Sequence, residues 1–142
     1  MKHFVFLLVI AALYSSCCKC DFGSNDASFR FVNSAGADLV FGPTSFYDKD
    51  SIHFYFRKGA DSLPTHSLYY LPSAPSKDSV IGVSFREDGG DTCYVSFGNG
   101  DVDTIILNIT KIGGGCCDES LEINPLKYNT KSVSGSVITI TK

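Results

Sequence analysis

Apolar and polar residues alternate with a period of two through most of this chain. Ile52, Phe54 and Phe56 interleave with His53, Tyr55 and Arg57, the alternation of a strand with one face in a core. Phe29 and Phe31 share a face over residues 28–33, with Ser28 and Arg30 opposite. Cys93, Val95 and Phe97 share a face over 92–97. The same reading predicts strands over 38–41, 68–71, 80–85, 103–112, 121–124, 126–128 and 136–141. Turn residues separate them: Ser34-Ala35-Gly36, Gly42-Pro43, residues 58–61 and 87–90, Asn99-Gly100, residues 113–115, Asn124-Pro125, Asn129 and Gly135. Asn-Gly between two alternating runs is a strong hairpin signal. Pro64 and Pro72 bracket the strand at 68–71 and place it at a sheet edge. Eight to ten short strands and no apolar period of 3.6 residues predict an all-β domain over 28–142. The expected architecture is an antiparallel β-sandwich, Ig-like or transthyretin-like, with a small closed barrel as the alternative.

The N-terminus departs from this pattern. Lys2 and His3 precede an unbroken apolar run over 4–13, then Ser15, Ser16 and Cys17. That order reads as a secretory signal peptide over 1–16. The run is too short for a membrane span, which needs about 20 residues. A cysteine after two small residues predicts lipidation at Cys17, although Tyr14 stands where such signals favour Leu. Two or three acyl chains at about 0.8 kcal/mol per buried methylene would anchor the protein stably. Ordinary cleavage near Ser15 or Ser16, leaving a soluble secreted domain, is the alternative. Residues 17–27 read as a tether, because Gly, Ser, Asn and Asp favour turns over packing.

Charge narrows the partners. Beyond residue 16 the chain carries 11 basic and 15 acidic residues, and Arg57-Lys58 is the only adjacent basic pair. Nucleic acid is not expected as a partner, since phosphate binding needs a clustered basic patch.

Six cysteines punctuate the sequence: Cys17, Cys18, Cys20, Cys93, Cys116 and Cys117. Export makes disulfides permissible, and a bridge from Cys93 to Cys116 or Cys117 is expected, with a buried free Cys93 as the alternative. No C-x-x-C spacing is present, so neither a structural zinc site nor a thioredoxin-like motif is predicted. His53 should face solvent, and His66 lies in a Pro-flanked loop; neither joins a hydrolase signature. No catalytic residue, metal ligand or cofactor is assigned. Asp88, Asp91, Asp101 and Asp103 lie near two turns, where Asp is a turn former before it is a calcium ligand. Tyr47, Tyr55, Tyr69, Tyr70 and Tyr94 are read as exposed aromatics, either cross-strand pairs or a contact surface.

Three stretches carry a resemblance: Phe29-Arg30-Phe31-Val32-Asn33 with Gly36 and Asp38-Leu39-Val40-Phe41-Gly42; Asp101-Val102-Asp103-Thr104-Ile105; and Cys116-Cys117 with Lys127-Tyr128-Asn129. Together they resemble a family of small lipoproteins of the Bacteroidota with a β-sandwich-like domain. The resemblance implies an exported protein of the outer membrane, on its periplasmic face or at the cell surface. It carries over no activity and no catalytic residue. The expected role is a non-enzymatic binding or accessory module, held by its lipid anchor and taking a protein or carbohydrate ligand. A metal-handling or enzymatic protein using Cys116, Cys117 and nearby acids is the alternative.

Overall fold

A computed structural model describes residues 24–43, 45–65, 67–72, 79–114 and 117–142. The signal segment, Cys17, Cys18, Cys20, Cys116 and His66 lie outside the described residues. Ten strands run as β1 (Asp26–Val32), β2 (His53–Lys58), β3 (Asp61–Pro64), β4 (Ser67–Pro72), β5 (Ser79–Ser84), β6 (Thr92–Ser96), β7 (Val102–Gly114), β8 (Cys117–Tyr128), β9 (Lys131–Ser132) and β10 (Ile138–Thr141). They form two sheets, ordered β10-β1-β5-β4 and β3-β2-β6-β7-β8-β9. The sheets remain open, making a β-sandwich and not a barrel. All pairings are antiparallel except one: β1 and β10 run parallel, Phe29 beside Ile138 and Val32 beside Thr141.

The period-two pattern explains the core. Phe29 and Phe31 of β1 meet Phe54 of β2 and Phe97 after β6, with ring centroids 5.5 Å and 5.0 Å apart for Phe29–Phe54 and Phe31–Phe97. Each contact joins one sheet to the other. Ile52, Phe56, Ile81, Val83, Phe85, Cys93, Val95, Ile105 and Ile123 are also fully buried. A fully buried side chain of this size contributes roughly 1.5–3 kcal/mol through lost apolar hydration. The sheets are thus held together mainly by aromatic area.

Several local expectations give way to tertiary geometry. Residues 38–41 are not a strand: Asp38 makes a single bridge to Val32. Its Oδ1 then accepts the Val40 and Phe41 amides, both at 2.8 Å, and this local side-chain bonding replaces the ladder. Asn124-Pro125 does not turn the chain. β8 runs through it, with Pro125 opposite Leu107, Lys127 opposite Ile106, and Leu126 as the extra residue of a bulge. A bulge accommodates the missing proline amide without ending the strand. β3 forms where a loop was expected, because Gly59, at φ +63°, turns β2 back on itself. The edge position of β4 is as expected.

Gly89 shows how tightly the core is closed. A Cβ there would lie 2.5 Å from the ring of fully buried Phe56. Gly89→Ala should cost about 1–3 kcal/mol through forced repacking, read as a lower denaturant midpoint with an unchanged slope.

Candidate functional site

β7 carries an ionisable group on its core face. Asp103 is in phase with buried Ile105 and Leu107, and is itself 8% exposed. An isolated carboxylate there would be costly, so its surroundings supply partners. The hydroxyl of Tyr128, at the end of β8, donates to Asp103 Oδ2 at 2.5 Å. Asn129 Nδ2 donates to Oδ1 at 2.9 Å. The Lys142 ammonium closes an ion pair with Oδ2.

Each partner is held by the backbone. Asn129 takes a left-handed conformation, φ +52°, which Asn tolerates better than most residues. Its Oδ1 accepts the Thr104 amide at 2.8 Å, and its own amide donates to Thr104 O at 2.7 Å. Lys142 follows β10, and its amide donates to Val32 O at 2.9 Å. Its side chain reaches across to β7 and also meets Asp101 at 2.6 Å. The ammonium sits 4.1 Å from the centre of the Phe97 ring, in cation–π range. Tyr47 donates to Asp101 Oδ2 at 3.0 Å. Tyr47 is a core residue, 8% exposed, which corrects its expected place on the surface.

The electrostatics keep these groups paired. Burial alone would raise the Asp103 carboxyl, but hydrogen bonds from Lys142, Tyr128 and Asn129 outweigh it and hold the group below the usual range. Burial lowers Lys142, and its bonds to Asp101 and Asp103 overcome that and raise it. Tyr128 is raised by burial and by its bond to Asp103. At neutral pH Asp103 is therefore ionised, while Lys142 and Tyr128 keep their protons. The cluster is arranged to hold charge between the two sheets, and Asp103, Lys142 and Tyr128 are each held away from a proton exchange near pH 7.

A cleft of about 430 Å³ opens beside the cluster. Asp103, Tyr128 and Asn129 line it together with residues 131–133 and 139–142. The last two segments include β9 and most of β10, the outer strands of different sheets.

The other candidate residues are dispersed. Asp88 pairs with Arg86 at 2.8 Å in an exposed turn, and Asp91 accepts from Thr92 Oγ1 at 3.0 Å. Among the described residues no group of three His, Cys, Asp or Glu could hold a metal ion. His53 faces solvent on β2. Tyr55 and Tyr94 stack as a cross-strand pair, centroids 5.6 Å apart, with Arg57 4.6 Å over Tyr94. Cys93 is a free, fully buried thiol. A bridge from Cys93 to Cys117 fails on register, and Cys116 lies outside the described residues: Cys93 pairs with Ile105, whereas Cys117 pairs with Gly114. Nine residues of β7 separate those positions, about 30 Å at ~3.3 Å per residue. β7 simply runs far past β6 before it turns.

The Asp103 cluster was present in the sequence as an unread signal. The alternation that marks Ile105 and Leu107 as inward continues back to Asp103. Lys142 carried no such mark, because its partner lies 39 residues away. Comparison with protein-family models, with curated proteins and with solved structures gives no match.

Asp103→Ala should destabilise the fold by about 3 kcal/mol, because it strips a buried ion pair of one member. Asp101→Ala, which removes the more exposed carboxylate, should cost under about 1 kcal/mol. Chemical denaturation of both variants checks the contrast. The Asp103 contribution should be complete above about pH 4 and disappear as pH falls through its depressed folded value. Acid titration of stability should show that loss in the wild type and not in Asp103→Asn.

Burial pushes the Cys93 thiol up to about 12. Cys93 should therefore resist alkylation in the folded protein at pH 8 and react once denaturant is added, as read by peptide mass mapping.

Proposed function

We propose that this chain is an exported, lipid-anchored module of the cell envelope that binds a protein or carbohydrate partner. The supporting observation is the cleft between β9 and β10. It is recessed and open to solvent, and Asp103, Tyr128 and Lys142 in its lining are already committed to one another. A site with its ions paired in advance suits recognition, where a rigid surface lowers the cost of ordering on binding. Chemistry would instead favour a group held near its protonation midpoint.

The envelope location rests on the N-terminal pattern of residues 2–17 and on the resemblance to Bacteroidota lipoproteins. Lipidated Cys17 would become the first residue of the mature chain. Residues 17–23 would then serve as a spacer lifting the sandwich off the bilayer, on the periplasmic face or at the cell surface; the tether expected over 17–27 is shorter, because Asp26 and Ala27 belong to β1 and Asn25 accepts the Phe85 amide.

Cell fractionation with Cys17→Ala tests this reading. The wild type should remain with membranes until detergent is added, and the variant should appear in soluble fractions. A wild type found soluble, with an unmodified N-terminus just after Ser15 or Ser16, would overturn the anchor.

A further inference from the structure

We propose that the outer edge of β10, with the cleft beside it, is a strand-accepting site for an extended polypeptide segment carrying an acidic residue. This rests on the binding-module reading and names the chemistry of its partner.

Backbone direction comes first. The Lys142 amide donates to Val32 O on β1. Backbone groups of successive strand residues point to alternate sides. Ile140 and Ile138 therefore also turn their amides and carbonyls to β1, and Thr139 and Thr141 turn theirs outward. No strand pairs with that side of β10 among the described residues. Thr139 and Thr141 both line the cleft. Two donors and two acceptors thus repeat at a strand's spacing along one wall of a recess, the arrangement that β-augmentation uses.

Edge protection is the second observation. Sheet edges are normally blunted by Pro, by charge or by extreme shortness. β3 carries Asp61 and Pro64, β4 ends in Pro72, and β9 has two residues, one of them Lys131. β10 reads Ile138-Thr139-Ile140-Thr141, with neither charge nor Pro. The adjacent Lys142 does not guard it, because its ammonium is drawn inward to Asp101 and Asp103. Of the four outermost strands, β10 alone is longer than two residues and carries neither charge nor Pro.

Charge selects the occupant. Lys131 of β9 is exposed, lines the same cleft and forms no ion pair among the described residues. An incoming strand with Asp or Glu would supply its counterion. A second copy pairing through β10 would not, since Ile138–Thr141 contains no acid. A partner's acidic strand therefore fits better than self-association.

The test uses the full membrane-anchored protein in detergent, screened against a random-peptide display library and a glycan array. Enriched peptides should be extended, lack Pro at their centre and carry Asp or Glu. A synthetic copy of one should slow amide hydrogen exchange at Thr139 and Thr141 by about tenfold or more. Thr141→Pro removes an outward amide, leaves the β1 ladder intact and should weaken that peptide about tenfold. Lys131→Glu should shift the library preference from acidic to basic peptides; should Thr141→Pro not fold, Lys131→Glu carries the test. Peptides that bind without slowing Thr139 and Thr141 would overturn the proposal. So would a concentration-dependent dimer that protects those amides, which would assign the edge to self-pairing. A glycan that occupies the cleft while no peptide is enriched would overturn the strand site and leave the binding-module reading standing. Binding by neither class would overturn both.

Discussion

Asp103 imposes the constraint on which this end of the sandwich depends. Its carboxylate is carried into the core by the same alternation that buries Ile105 and Leu107, and once there it must be satisfied. Tyr128, Asn129 and Lys142 do so from three directions. Tyr128 and Asn129 lie on the six-stranded sheet with Asp103, whereas Lys142 follows the outer strand of the other sheet. The ion pair is therefore a tie across the seam. Aromatic packing does the same work over the rest of the interface, but it is non-directional. The polar tie is directional, and it links the residue after β10 to β7.

That tie also shapes the surface. By drawing the Lys142 ammonium inward, it withdraws the charge that would otherwise protect the end of β10. By engaging Asn129 it fixes the turn that carries Lys131 to the cleft. The cleft lies between these two consequences. Asp103, Tyr128 and Lys142 are already paired with one another there, while β10 offers backbone groups and Lys131 an exposed cation. Such a recess is suited to recognition. The stacked Tyr55–Tyr94 pair, by contrast, is satisfied within its own sheet face.

Much of the fold could be read directly from residue order. The inward sets Phe29/Phe31, Phe54/Phe56 and Cys93/Val95 are period-two signals, and every one of them is buried. Asn99-Gly100 marks a real reversal, and Gly114 sits at another, paired with Cys117. Failures occurred where a local signal met a longer-range one. Pro125 looked like a break, yet its bulge sits in a strand held by a long ladder. Asp38 looked like the start of a strand, yet its side chain bonds the following amides first. The Cys93–Cys117 expectation failed because chain order gives no measure of how far β7 overshoots β6. The site was half legible: Asp103 was in phase with the core, but Lys142, Tyr47 and the parallel docking of β10 follow from pairings between distant parts of the chain.

Native-state hydrogen exchange is the most direct check on the claim that the Asp103–Lys142 tie holds β10 in place. The quantities to compare are the protection of the Ile140 amide, which faces β1, and that of the Val95 amide in the middle of the other sheet. In Asp103→Asn, protection at Ile140 should fall well beyond that at Val95, since β10 would open locally while the aromatic core stays closed. Equal losses at the two amides would contradict the claim, and would place β10 within the global cooperative unit independently of the ion pair.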